Sequence, residues 1–394
     1  MSEIDLSGLF EPIHIKGVTI RNRFVMPGMQ RGWCEQGRPM PIMHDYYRKR
    51  VLGGVGLVIG EASLIDHPSS RWESHYPRLN PDTYDAWAST IDAVHEAGGR
   101  IFLQLSHPGA IRLDEQARPD DPYPALSPSG LFKGDRGNGR AATLAELEEI
   151  RDAFVSAARF AQKAGADGVE IHGCHGYFID QFLWAETNRR EDRYGGATIA
   201  ERVRYPAELV SAVRDAVGAE LLISFRFSQW KEVDYKAKIC ETPDDLQMFL
   251  SILRDSGVDI FHPSVRRFDT PEWAGSDLGL AGWTKSFTDA LVIAVGSVGL
   301  TVDFMESLIG NIEGHFPGEG RMRELARRYH NGEFDMVAVG RSLISDPEWV
   351  NKVRAQRFDE IKPFVKQDLG KALEMESRLI VDVHRDGEAG VDHE

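Results

Sequence analysis

The sequence predicts a single (β/α)8 barrel, a TIM barrel, and three observations carry that reading. Short apolar runs recur at fairly even spacing, at 24–27, 56–62, 100–107, 168–173, 220–228, 259–265, 291–298 and 336–342. Amphipathic helical patterns lie between most of them, most clearly at 81–97, 144–164, 200–217, 243–256, 321–330 and 347–355. Strands alternating with such helices build a parallel sheet from βα units. The third observation is length: 394 residues would suggest two or three domains, but α/β barrels run that long as one unit. The expected division is a barrel over 1–355 and a C-terminal extension over 356–394, disordered beyond 387.

The elements follow in chain order. The stretch 12–20 reads as a β-hairpin around Lys16-Gly17, placed to lid the barrel bottom. Gly98 and Gly165 stand as stop residues after two helices, and Thr143 with Glu146 makes a capping box for the second. The stretch 108–142 is rich in Gly, Pro and Asp, and a loop this long is usually functional or disordered. Strand alternation turns Val169, Ile171, Ile223, Phe225 and Phe227 toward the helices. Glu170, His172, Ser224, Arg226 and Gln104 then point into the barrel, near the strand ends where barrel enzymes keep their chemistry. Burying these polar groups is costly unless each is paired, and a bound polar cofactor is one way to pair them.

Composition narrows the function. The formal net charge is −15, which argues against nucleic acid and anionic lipid as partners. The three cysteines, Cys34, Cys174 and Cys240, form no C-x-x-C, so neither a zinc ribbon nor a cysteine-ligated cluster is expected. Their sparse, odd number fits a reducing compartment. No basic segment leads into an apolar one at the start, and no apolar run approaches the ~20 residues of a membrane helix. A cytoplasmic protein acting on a small molecule is expected, with a homo-oligomer left open.

The chemistry concentrates at 170–183, Glu-Ile-His-Gly-Cys-His-Gly-Tyr-Phe-Ile-Asp-Gln-Phe-Leu. Two histidines and a tyrosine fall within six residues after the fourth strand. Read from residues alone, they admit a metal site with Glu170 as third ligand, a purely structural loop, or donors aimed at a carbonyl or nitro oxygen beside a phenolic acid. The last reading is preferred and no metal is assigned. Val295-Gly-Ser-Val-Gly299 and Val339-Gly-Arg-Ser342 end the last two strands, where barrels often bind phosphate through glycine N–H groups. Two ordinary tight turns would look the same.

The run His172, His175, Gly176, Tyr177 resembles the strand-four signature of the Old Yellow Enzyme family of flavin-dependent ene-reductases. Asn188–Gly196 is similar to that family's N-R-x-D-x-Y-G-G segment, with one extra residue before the Asp. Leu9-Phe-Glu-Pro12, Ile20–Pro27 and Gly340–Pro347 resemble further family segments, so the likeness runs from about residue 9 to about residue 355.

The resemblance implies FMN held non-covalently, NADH or NADPH as hydride donor, and an activated C=C as substrate. It implies His172 and His175 as donors to the substrate oxygen and Tyr177 as the proton donor. It implies cofactor contacts at Pro27, Gly28, Met29, Gln30, Ala62, Gln104, Arg226, Gly296, Ser297, Gly340 and Arg341. Arg226 would stand near flavin N1 and O2; an ion pair with Glu170 is the competing role.

There are departures. Gln30 stands where the family has Thr or Cys, which puts the redox tuning in doubt. Trp184-Ala185 replaces Ser-Pro or Asn-Pro and is expected to reshape the pocket mouth. The segment 266–273 is either a substrate- or nicotinamide-contacting lid or a solvated loop. The rival functions are a flavin-free barrel lyase or aldolase, which needs a strand-end lysine or a metal, and a non-catalytic flavoprotein. No lysine falls at the eight expected strand ends.

Overall fold

The computed structural model describes residues 4–113, 123–303 and 313–374. Its centre is a closed parallel barrel of β1 (Phe24–Met26), β2 (Leu57–Ile59), β3 (Arg100–Ser106), β4 (Gly168–His175), β5 (Leu222–Lys231), β6 (Ile260–Pro263), β7 (Leu291–Val295) and β8 (Met336–Ala338). Each strand pairs in parallel with the next, and β8 closes on β1. Around it lie α1 (Pro41–Leu52), α2 (Tyr84–Glu96), α3 (Leu144–Lys163), α4 (Arg204–Val217), α5 (Pro243–Asp255), α6 (Leu280–Phe287), α7 (Glu319–His330) and α8 (Trp349–Arg354). Two of these fall where no helix was expected. In α1 the buried face is Tyr46, Tyr47 and Arg50 beside Met43 and Val51, which blurs the apolar period. In α6 the helix is short and contains Gly282.

Side chains divide as strand alternation requires. Leu103, Leu105, Val169, Ile171, Phe225 and Phe227 join the outer core, where Phe225 and Phe227 meet Phe249 of α5 at 6.1 and 5.2 Å between ring centres. Phe102, Leu222, Ile260, Val25 and Leu57 fill the barrel's lower interior. Gly168 makes room there, since a Cβ at that position would lie 2.7 Å from the Phe102 ring.

The hairpin of Ile13–Ile15 and Val18–Ile20 plugs the barrel bottom, with Ile13 and Ile20 packed into the same cluster. Lys16 and Gly17 both take positive φ, 45° and 82°, the two-residue turn that suits a twisted hairpin. Lys16 Nζ also meets Asp259 at 2.6 Å.

The capping box forms as expected: Glu146 N–H donates to Thr143 Oγ at 3.2 Å, and Thr143 N–H to the Glu146 carboxylate at 2.8 Å. Within 108–142, the described part carries short paired strands, Leu126–Ser127 with Arg140–Ala141 and Leu131–Lys133 with Arg136–Gly137. The rest of that loop, 114–122, and the tail beyond 387 lie outside the described residues. In the extension, Phe364 exchanges backbone hydrogen bonds with Gly314 and packs against Leu300 and Ile344.

Candidate active site

A cavity opens at the C-terminal ends of the strands, and all eight contribute to its wall. Every residue nominated from the sequence lines it: Pro27, Gly28, Met29 and Gln30 after β1, Ala62 after β2, Gln104 on β3, His172, His175 and Tyr177 at the end of β4, Arg226 on β5, Gly296 and Ser297 after β7, and Gly340 and Arg341 after β8.

Strand register sets the polar layers. Glu170 sits level with Gln104 and Ser224, and one pleat higher His172 sits level with Arg226. Glu170 is wholly buried and accepts from Gln104 Nε2 at 2.8 Å, Ser224 Oγ at 3.0 Å and His262 Nδ1 at 2.8 Å. Burial opposes its ionisation, but His262, Arg226 and Gln104 together hold it down to about 2. The competing pair of Arg226 with Glu170 is therefore corrected: the carboxylate's direct partners are His262, Gln104 and Ser224. Arg226 instead donates to Ser264 Oγ at 3.3 Å.

The two histidines are neutral. Burial, reinforced by the charge of Arg226, pushes His172 down to about 3 and His175 well below its ordinary value. Ser106 Oγ lies 2.9 Å from His172 Nδ1, and where that hydroxyl donates, the ring proton sits on Nε2. Ser264 Oγ lies 2.9 Å from His175 Nε2. The Tyr177 ring lies 4.8 Å from the His172 ring, and its hydroxyl donates to Glu232 at 3.2 Å. Burial and then the Glu232 carboxylate raise the Tyr177 phenol well above its usual range, so it keeps its proton.

Of the alternatives left open for this stretch, the metal grouping changes membership. His172, Cys174 and His175 bring donor atoms within 4.8 Å of one another, while Glu170 is committed elsewhere. Burial raises the Cys174 thiol well above its ordinary value.

The residues present fit FMN. Gln30 Nε2 and Arg226 Nε are buried without a hydrogen-bond partner among the described residues, and both side chains line the cavity. Such orphaned donors are costly unless a ligand accepts from them. Gly28 lets the backbone come close, since a Cβ there would lie 2.7 Å from the Gly60 carbonyl oxygen. Arg341 donates to the carbonyls of Asp303 and Val302 and to Ser297 Oγ at 3.3 Å, tying the loops after β7 and β8 together.

Residues 8–298 match the model of the NADH:flavin oxidoreductase / NADH oxidase family. The chain belongs to this family. The 12-oxophytodienoate reductase 7 of Oryza sativa subsp. japonica is 32% identical over 367 residues, covering 88% of this chain and 87% of that protein. The NADH oxidase of Thermoanaerobacter brockii is 34% identical over 375 residues, 92% of this chain but 53% of that protein, so the chain spans about half of this relative's length. Morphinone reductase superposes with a TM-score of 0.72 at 26% identity, covering 90% of this chain and 91% of the other, and has also been solved with tetrahydroNAD. The Old Yellow Enzyme resemblance and the barrel fold both stand.

Two expectations need correction, and one alternative left open is narrowed. A lysine does stand at a strand end: β5 runs on to Lys231, past the expected end at 228, because Gln229, Trp230 and Lys231 extend the strand without being apolar. Lys231 is wholly buried, bonds Asp180 at 2.7 Å and does not line the cavity. Trp184 does not reshape the mouth; it is 3% exposed and packs in the outer core. The segment after β6 begins against the cavity: Arg266 lines it, Phe268 is buried and its N–H donates to the Gly296 carbonyl, whereas Thr270 and Pro271 are exposed.

Sequence reasoning missed Trp72, Tyr76, Trp230, Glu232 and Leu369 on the cavity wall. Trp72 and Tyr76 stack at 4.5 Å between ring centres. They lie in a loop where no period marks them.

Proposed function

We propose that this chain is an FMN-dependent NAD(P)H oxidoreductase that reduces an activated C=C, an α,β-unsaturated carbonyl or a nitroalkene. The observation that carries the reading is the convergence of two neutral imidazoles and one protonated phenol on a cavity that also holds the donors Gln30 Nε2 and Arg226 Nε, buried without a partner among the described residues. The chain's likeness to a 12-oxophytodienoate reductase and a cinnamate reductase supports it.

FMN, when bound, supplies two-electron hydride exchange between nicotinamide and alkene. The protein supplies orientation and electrostatics. Gln104 gives Nε2 to Glu170 and so turns Oε1 toward the cavity as an acceptor for a flavin N–H. Arg226 would supply a fixed positive charge to the bound flavin, and the loops at Gly296-Ser297 and Gly340-Arg341 would hold its phosphate. His172 and His175 hold first the nicotinamide amide and then the substrate oxygen, polarising the C=C without needing a charge. Tyr177 delivers its proton to the α-carbon.

A barrel aldolase needs an accessible lysine, and Lys231 is sealed behind the wall. The three buried free cysteines support the cytoplasm as its compartment. Purified protein should be yellow, with one FMN per chain released by acid precipitation. A colourless chain indifferent to added FMN would end this reading.

A further inference from the structure

The overrun of β5 touches the loop that carries the reactive groups. His175 N–H donates to Ser228 Oγ at 2.9 Å, and Glu232 N–H donates to the His175 carbonyl at 3.1 Å. Lys231 Nζ reaches Asp180 Oδ1 at 2.7 Å and the Ser228 carbonyl at 3.1 Å. The other Asp180 oxygen accepts Gly176 N–H at 2.6 Å. Lys231 and Asp180 are both 0% exposed.

A wholly buried ion pair is poor evidence for stability, because an apolar pair of similar volume often does as well. What this pair holds is more telling. His175 and Gly176 take φ of 65° and 92° in succession, the left-handed region that a histidine occupies only when its surroundings impose it. That bend directs the His175 ring to 6.1 Å from His172 while Tyr177 stands 4.8 Å from the same ring. With the bend relaxed, the second imidazole and the phenol would no longer face one substrate.

We propose that Lys231 is a positioning residue for alkene reduction, acting through Asp180 and the Gly176 N–H to hold His175 and Tyr177 toward the substrate. The inference rests on the roles given above to those two residues. It assigns a task to a buried lysine that touches neither cavity nor substrate.

The test uses the holoenzyme and two double variants that leave no lone buried charge. In K231M/D180L the anchor on Gly176 is gone. In K231M/D180N the ion pair is gone but an acceptor for Gly176 N–H remains. Expected for K231M/D180L are retained FMN and reoxidation by cyclohexenone slowed about 10²-fold, the scale of a misplaced reacting group, with reduction by NADPH slowed about tenfold at most, because His175 also holds the nicotinamide but no proton is delivered there. The charge-transfer band of a bound phenol should weaken in parallel. K231M/D180N should recover about tenfold of the lost rate.

Equal slowing of both half-reactions with loss of FMN would mean a merely structural pair. So would an undisturbed enone rate and phenol band in either variant. Should K231M/D180L fail to fold, K231M/D180N decides alone, by an enone rate lowered about tenfold with FMN retained and NADPH reduction slowed less than enone reduction. Wild-type protein that reduces no activated alkene would overturn the proposed function, whereas the phenol band still reads out the loop.

Discussion

At the scale of residues, Tyr177 is the sharpest point of the proposed chemistry. Hydride transfer from nicotinamide needs no acid at this site, but reduction of an enone needs a proton at the α-carbon. Tyr177→Phe should therefore leave reduction by NAD(P)H little changed and slow enone reduction ~10²–10⁴-fold, as loss of a positioned general acid does. Nitroalkenes should suffer less, because a nitronate can leave and take its proton from water. Stopped-flow measurement of the two halves decides; equal slowing would make Tyr177 a wall of the pocket.

A second residue sets a pH dependence. Glu61, beside Ala62, is buried, and burial raises its carboxyl to about 8 against the opposing Arg31 N–H and charge. A folded-state value above the unfolded one, 4.5, means the native state holds the extra proton between them. Stability should then be fully present below about pH 4.5 and decline toward pH 8, by at most ~1.4 kcal/mol per pH unit. Denaturant titrations across that window should show the slope in wild type, and Glu61→Gln should flatten it.

Alternation along a strand was enough to turn Gln104, Glu170, His172 and Arg226 inward. It could not say that Glu170 would meet His262, since that pairing joins β4 to β6 across β5.

At the scale of elements, strands were legible where they were apolar and illegible where they were not. The run from Leu222 to Ser228 announces itself, but β5 continues through Gln229 and Lys231, polar residues bonded to the Cys240 carbonyl on the following loop and to Asp180, 51 residues away. α1 was hidden for a related reason: Arg50 is buried on it by donating to the carbonyls of Leu343 and Ile344, just past β8.

The loop after β7 supports a prediction at this scale. Gly296 takes φ 150°, and a Cβ there would fall 2.7 Å from the Val265 carbonyl oxygen. Since Phe268 N–H is bonded to the Gly296 carbonyl, neither backbone can move freely. Gly296→Ala should push the loop off its path and weaken FMN at least tenfold, on the order of the 1.4 kcal/mol that a strained backbone residue costs. FMN titration of the apoprotein measures it, with far-ultraviolet circular dichroism expected to stay unchanged. An unaltered FMN affinity would place the phosphate elsewhere.

At the scale of the whole molecule, the barrel is closed below by the hairpin and open above, and the open end is where its packing is incomplete. Gln30 Nε2 and Arg226 Nε are buried with no partner among the described residues, while Leu369 of the extension reaches back to line the same cavity. The extension was legible only as a segment after the last helix, because single contacts such as Arg31 Nη2 to the Asp368 carbonyl, at 2.8 Å, leave no pattern. A fold left with orphaned donors at its open end should be stabilised by the ligand that satisfies them. A ligand binding only the native state adds RT ln(1 + [L]/Kd), ~2.7 kcal/mol at a hundredfold excess over Kd. Apoprotein should therefore melt lower than holoprotein and climb in Tm with the logarithm of added FMN.

Riboflavin separates the two halves of the site. It offers the same ring to Gln30, Gln104 and Arg226 but no phosphate to Ser297 and Arg341. If those loops bind phosphate, riboflavin should raise Tm far less than FMN at equal concentration, and Arg341→Ala should remove most of the difference between them. Equal shifts with both flavins would mean that the ring alone is recognised and that the loops after β7 and β8 are ordinary turns. No shift with either would mean that the orphaned donors serve some other ligand.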